Sequence, residues 1–376
     1  MEFTDEQRKF QDEIKTFVDN EVIPVASEFD RRGAVSPEII GRLSQMGYLG
    51  AVLPPEYEGR GLNMTTLAIL HEEMGRGCSS LRSLLTVHGM MALAILRWGT
   101  EEQRNLWLKK LATGKAIGAF ALTEPNVGSD AKSIETTAVL TGDDYTLNGK
   151  KKWITFGQTA DAFLLFAKVD EKPTAFIVER NSPGLSITPI KGLLGVRASG
   201  TAELHLTDCR IPKENLVGNP GFGLSHVALH SLDYGRYSIA CGAVGIGQAC
   251  LEVCIHYARK RKQFGEPLRQ HQLIQKMITE MVVNVAAARL LCYNAGYLKD
   301  IGDSDSIMET WNAKYFACKV LPEITSNAVQ ILGANGCSSE YPVERFYRDA
   351  KIMEIIEGTS QMHETLIATN AFRHFA

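Results

Sequence analysis

The sequence predicts a mixed, mostly helical fold in three parts. These are a helical domain over residues 1–115, a middle antiparallel β domain (a small barrel or packed sheets) over 116–224, and a C-terminal four-helix bundle over 225–376. Three observations predict it. Apolar residues recur at helical spacing in the first third, alternate along short strands between tight turns in the middle, and return to helical spacing in long runs at the end. No βαβ alternation appears, which argues against a doubly wound nucleotide fold.

The first helix opens on a capping box, Thr4 with Gln7, and aligns Phe10, Ile14, Phe17 and Val18 on one face; Pro24 marks a place for it to stop. Further helices are expected at about 37–47, 64–77, 83–98 and 101–112, with a Pro/Gly-rich break over 54–59. Strands are expected at 136–140, 145–147, 152–155, 162–169, 175–179 and 202–207, with turns at 142–144, 148–149 and 182–184. The last part reads as helices at about 225–261, 270–300, 306–332 and 343–372, broken at 264–267 and 333–336. Gly242, Gly245 and Gly247 have the wrong spacing for a phosphate loop, and small residues at these intervals instead let a second helix approach closely.

Composition narrows the function. Forty basic against forty-three acidic residues leave a net charge of −3, which gives no electrostatic footprint for nucleic acid or an anionic membrane. No uncharged apolar run reaches the length of a membrane span, and the first ten residues lack the pattern of a signal peptide. Eight cysteines without a CxxC pair read as reduced thiols in a cytoplasmic protein. Cys250, Cys254 and His256 do not converge with a fourth ligand, so no metal is expected, and no Gly-x-Ser-x-Gly elbow supports a serine hydrolase.

Three segments carry chemistry. The run from Phe120 through Leu122, Thr123, Glu124 and Pro125 to Gly128 and Ser129 leaves a strand through a Pro/Gly turn and offers hydroxyls, backbone N–H groups and an aromatic ring together. Lys152-Trp153-Ile154-Thr155 places an indole and a hydroxyl on either side of an apolar residue. Glu357 follows Ile355 and Ile356 and precedes Gly358, where partial desolvation would raise its pKa towards that of a useful general base.

Together these segments resemble the acyl-CoA dehydrogenase family, and the resemblance covers essentially the whole chain. It implies FAD bound between the sheet and the bundle, and a cytoplasmic flavin oxidoreductase acting on an acyl thioester. Phe120, Leu122, Thr123, Gly128, Ser129, Trp153, Ile154 and Thr155 would border the flavin, completed by Thr359 and Gln361. Arg261, Gln263, Phe264, Gln330, Gly333 and Ala334 match segments that reach the FAD of a neighbouring subunit, which implies a homodimer or tetramer; Arg261 would pair with the pyrophosphate. Glu357 matches the base that removes the α-proton while hydride leaves the β-carbon for flavin N5, with its backbone N–H helping to polarise the thioester carbonyl. Members that carry the base elsewhere place it at the position of Gly235, which cannot serve. Arg82, Ser83, Ser129, Asp233, Arg236 and Gly358 match the substrate side.

Two departures bear on substrate. Ile356 stands where the family often has tyrosine before the glutamate. Arg82, within Cys78-Ser79-Ser80-Leu81-Arg82-Ser83, stands where fatty-acyl members have neutral side chains, and a buried arginine needs a polar or anionic partner. Glutaryl-CoA dehydrogenase carries Arg-Ser there, as do acyl-carrier-protein dehydrogenases that build hydroxymalonyl- and methoxymalonyl-type extender units for antibiotic biosynthesis. The sequence looks closest to the second group. The expectation is oxidation of a short polar acyl thioester on a carrier protein, with α,β-desaturation of a short-chain or glutaryl-like acyl-CoA as the alternative. An electron-transfer flavoprotein or oxygen would take the electrons.

Overall fold

A computed structural model describes residues 2–374. The N-terminal part holds α1 (Asp5–Phe17), α2 (Ile23–Arg32), α3 (Pro37–Gln45), α4 (Met64–Gly77), α5 (Ser79–Trp98) and α6 (Glu101–Ala112). The Thr4–Gln7 capping box forms, and Thr100 with Gln103 makes a second one at α6. Pro24 does not stop the first helix. The chain passes through a π-helical turn (Val18–Val22) into α2, where Pro24 occupies the first turn and its missing N–H costs no helical bond. Helix α5 begins a turn earlier than the sequence suggests, so Arg82 lies inside it and its N–H donates to the Cys78 carbonyl at 3.0 Å.

The middle part is one eight-stranded sheet. Its strands are β1 (Gly118–Ala121), β2 (Thr137–Thr141), β3 (Asp144–Ile154), β4 (Ala162–Val169), β5 (Lys172–Glu179), β6 (Leu185–Pro189), β7 (Ala202–Pro212) and β8 (Leu216–Val217). The order is β6-β7-β3-β2-β4-β5-β8, mostly antiparallel, but β4 pairs in parallel with β1 and, at one position, with β2. Asn148-Gly149 is not a turn. β3 runs through it with a register shift, because Gly149 lies against Thr136 so closely that a methyl group there would sit 2.7 Å from the Thr136 Cα. The expected strand over 152–155 is the end of β3, where a second irregularity between Lys151 and Ile154 turns Trp153 outward.

The C-terminal part comprises α7 (Leu229–Lys260), a small hairpin of β9 (Lys262–Gln263) and β10 (Glu266–Pro267), α8 (Gln272–Asp300), α9 (Ser306–Leu332), α10 (Val343–Met353) and α11 (Ser360–His374). Close helix packing explains the glycines of α7: a methyl group on Gly75 would lie 2.7 Å from the Gly242 Cα, and one on Gly245 would lie 2.6 Å from the Arg76 nitrogen. The one long helix expected over 343–372 is two helices. The break at 354–359 carries Glu357 at φ 56° and Gly358 at φ 92°, backbone that a helix does not hold. By length and hydropathy alone, Ser79–Trp98 and Gly223–Lys260 are long and apolar enough to cross a membrane, although charged residues interrupt both; most of each is buried within the fold, where core packing requires apolar side chains.

Candidate active site

The turn between α10 and α11 presents Glu357. Two cations hold its backbone: Arg236 Nε on α7 donates to the Glu357 carbonyl at 3.2 Å, and Lys314 Nζ on α9 donates to the Gly358 carbonyl at 2.7 Å. Among the described residues the Glu357 N–H has no acceptor, so it remains available to an oxyanion. The carboxylate points inward; its Oε2 is sealed from solvent and has no hydrogen-bond partner among the described residues. Burial pushes its pKa up to about 7, and the positive charges of Arg236, Lys314 and Arg82 oppose that rise without cancelling it. The α7 backbone comes close because residue 235 is glycine: a methyl group there would lie 2.8 Å from Cδ of Glu357 and 3.1 Å from Sδ of Met90.

Arg82 is wholly buried on α5. Its Nη1 donates to the Thr86 hydroxyl at 2.9 Å and to Ser238 at 3.4 Å, its Nη2 lies 3.9 Å from Sδ of Met353, and Nε has no partner. No carboxylate forms an ion pair with it among the described residues. Burial pulls its pKa down to about 10, still charged at neutral pH, while Glu357 is the foremost group favouring the charge. Behind it a neutral network runs from Thr86 and Ser238 to His71 and Tyr234; His71 is held uncharged, with its pKa lowered to about 3 by burial and by Arg82. Thr86, one turn beyond Arg82 on α5, was missed because that helix was expected to begin only at about residue 83, and Ser238 and Met353 come from other helices and leave no local signal. Ser83 is buried beside Arg82, but its hydroxyl donates to the Ser80 carbonyl at 2.7 Å.

Asp233 and Arg236 stand on the same helix as Gly235. Asp233 pairs with Lys299, leaving Oδ1 buried without a partner, and Arg236 lies 5.8 Å over the Trp311 ring. Lys299, Lys314 and Trp311 were not foreseen, because each meets the site only through tertiary packing.

On the sheet side, the Lys152 N–H donates to the Thr123 carbonyl at 2.8 Å, joining the two segments that carry Phe120, Leu122, Thr123, Trp153 and Thr155. Beneath them Lys151 and Glu124 form a buried ion pair at 2.6 Å; Lys151 also donates to the Leu122 carbonyl, and burial lowers its pKa to about 8 despite Glu124. Trp153, at φ 63°, leaves its indole half exposed, while Ile154 is buried behind it. Gly128 and Ser129 lie on the exposed turn. A flavin suits this surface: the hydroxyls of Thr123, Ser129 and Thr155 have no protein partner among the described residues, and the half-exposed Trp153 indole adds a flat aromatic face.

Arg261, Gln263 and Phe264 lie on the hairpin after α7, where Phe264 is 96% exposed. Gln330, Gly333 and Ala334 lie at the end of α9, and Tyr257 joins the two segments: its carbonyl accepts from the Arg261 N–H, while its hydroxyl meets the Leu332 carbonyl and the Asn335 amide. Among the described residues no hydrogen bond, ion pair or ring contact links either segment to Trp153 or Glu357 of the same chain. Thr359 accepts from the Met362 N–H at the start of α11, and Gln361 is exposed on its first turn.

Three family models match in succession: the acyl-CoA dehydrogenase N-terminal domain over 4–115, the middle domain over 119–209 and the C-terminal domain over 223–372. The chain is 38% identical to the mitochondrial short-chain specific acyl-CoA dehydrogenase of Rattus norvegicus, covering 100% of this chain and 92% of that one. It superposes on a glutaryl-coenzyme A dehydrogenase glutaryl-CoA complex with a TM-score of 0.95 at 36% identity, over 99% of this chain and 96% of that one. It also superposes on the prolyl acyl carrier protein oxidase AnaB with a TM-score of 0.93 at 30% identity, each chain covered to 98% and 99%.

Proposed function

We propose that this chain, which belongs to the acyl-CoA dehydrogenase family, desaturates a short acyl-CoA whose far end carries a carboxylate or another polar group. It is an oxidoreductase acting on CH–CH bonds, and the family's cofactor is FAD. The observation that carries the substrate class is Arg82: a fully buried guanidinium that bonds only hydroxyls and a thioether, feels Glu357 at a distance, and is in ion-pair contact with no carboxylate among the described residues. Leaving such a charge without an anion is costly, and a substrate's distal carboxylate would supply one.

Glu357 takes the α-proton onto a carboxylate whose raised pKa suits that exchange near neutral pH. Its backbone N–H, aimed by the Arg236 and Lys314 clamps on the turn, stabilises charge growing on the thioester oxygen. Bound FAD supplies the acceptor for the hydride that leaves the β-carbon. Thr123, Ser129, Trp153 and Thr155 would hold it, and Trp153 would cover the ring. The substrate loses one proton and one hydride and becomes the α,β-unsaturated thioester.

The exposed hairpin bearing Arg261, Gln263 and Phe264 supports a homo-oligomer in which one copy reaches the flavin of another, because an aromatic ring 96% exposed suits a contact with a second chain. An electron-transferring flavoprotein is the acceptor in this reading. The likeness to AnaB favours one second reading, a carrier-protein-bound substrate.

The test is anaerobic bleaching of the FAD-loaded protein by butyryl-CoA, glutaryl-CoA and three- to five-carbon polar thioesters on CoA and on carrier protein. Rapid bleaching by glutaryl-CoA or a polar short acyl-CoA supports the proposal. Bleaching by carrier-protein thioesters alone would move the substrate to the second reading, and preference for butyryl-CoA would remove the polar class.

A further inference from the structure

A second charged cavity lies among residues that the flavin and acyl sites do not use. It measures about 530 Å³ and is lined by Ser27, Asp30 and Arg31 of α2, Arg197 of the loop before β7, Cys337 and Ser339 after α9, and Glu344, Arg345 and Arg348 of α10. Four arginines thus face two carboxylates. Both acids are committed to Arg348, which donates to Asp30 at 2.7 Å and to Glu344 at 2.8 Å. Arg197 donates through Nε to the Leu193 carbonyl and keeps only a distant approach to Asp30, 3.9 Å. Arg31 is exposed and has no ion pair among the described residues.

Arg345 is the unusual member. It is 6% exposed, yet its Nε and Nη1 have no hydrogen-bond partner among the described residues. Its neighbour Asp349 is near enough for the Arg345 charge to oppose the rise that burial gives its pKa, but the two form no ion pair among the described residues, and Oδ1 of Asp349 accepts from the Val196 N–H at 2.6 Å. Phe346 offers its ring face 5.1 Å away, which eases the charge without saturating its donors. Buried donors of a charged group are almost always bonded, so this guanidinium calls for an acceptor.

We propose that this cavity is a binding site for a small polyoxygenated anion, a phosphate ester or a polycarboxylate, with Arg345 as its buried anchor and Arg197 and Arg31 closing over it. A planar guanidinium offers paired donors that match either oxyanion. The volume exceeds that of a lone ion, since one water occupies about 30 Å³, so the anion carries a body or its own water shell.

The test uses the FAD-loaded full chain, with inorganic pyrophosphate and citrate titrated separately by calorimetry and by thermal melting. Pyrophosphate represents the phosphate source and citrate the carboxylate source; saturable binding of either, with a raised melting temperature, is expected. Arg345→Gln should weaken it by about ten- to a hundredfold, the value of losing hydrogen bonds to a charged group. Arg197→Gln, at an exposed position, should weaken it several-fold and decides the matter if Arg345→Gln fails to fold. Saturable binding that both variants leave unchanged would place the anion at the flavin or CoA site and overturn the proposal. No binding by the wild type, with Arg345→Gln changing the sedimentation coefficient instead, would assign this face to a contact between copies and overturn it equally.

Discussion

Replacing Gly235 by alanine tests whether the position of the Glu357 carboxylate controls the chemistry. The new methyl group would lie 2.8 Å from Cδ of Glu357 and 3.1 Å from Sδ of Met90, and it would overlap Oε2. Carbon–carbon contacts relax to about 3.5–4.0 Å, so the carboxylate must retreat by about 1 Å. Movement towards Met90 is closed, and movement along the turn strains a backbone already at φ 56° and held by Arg236. A displacement of about 1 Å in a reacting group can cost about a hundredfold. Stability should suffer less, because alanine is preferred over glycine within a helix by about 1 kcal/mol. Stopped-flow flavin reduction with saturating substrate should slow about a hundredfold, with FAD content and melting temperature near wild type. A reduction rate within a few-fold of wild type, in a folded FAD-loaded variant, would refute the reasoning.

Other outcomes follow from the same contacts. Glu357→Gln should keep FAD and lose about 10²–10⁴-fold in the rate of flavin reduction, as removal of a general base does. In the wild type that rate should climb as pH rises through about 7 and level off above it, because the base works deprotonated and burial holds its pKa there; a rate constant flat from pH 5 to pH 8 would contradict this. Lys151→Met should lower stability by about 3–5 kcal/mol, because Glu124 keeps the backbone N–H groups of Glu135 and Thr136 but loses its buried cation. Adding Glu124→Gln should restore much of it, read from urea unfolding and FAD retention, since the pair is fully buried. Gly242→Ala places a methyl group 2.7 Å from Nε of Arg82, so it should impair polar substrates more than butyryl-CoA in kcat/KM.

Much of this was legible in the sequence. The cap of α1, the buried strand β4 and the order of helices and strands follow from local patterns, because period and capping are local properties. The break at 354–359 was not, since Ile355, Ile356 and Glu357 continue a helical pattern, while the turn is held by tertiary bonds from Arg236 and Lys314 and by a bond from the Ser360 N–H to the Glu354 carbonyl. Asn148-Gly149 has the signature of a hairpin turn, yet this glycine serves a close approach to Thr136. At the site, the desolvation of Glu357 was readable from its flanking isoleucines. The hydroxyl lining of Arg82 was not: Thr86 faces it only because α5 starts a turn earlier than its pattern suggests, and Ser238 arrives from α7.

The most direct measurement of the substrate assignment is the ratio of kcat/KM for glutaryl-CoA to that for butyryl-CoA, in wild type, Arg82→Ala and Arg82→Lys. Wild type should favour glutaryl-CoA. Arg82→Ala should lower the ratio about ten- to a hundredfold by removing hydrogen bonds to a charged group, and it should accept butyryl-CoA better than wild type does. Arg82→Lys should recover only part of the loss, because an ammonium cannot reproduce the planar fork. A wild type that prefers butyryl-CoA, with the ratio unmoved by Arg82→Ala, would contradict the account and leave Arg82 as a structural charge held by Thr86 and Ser238.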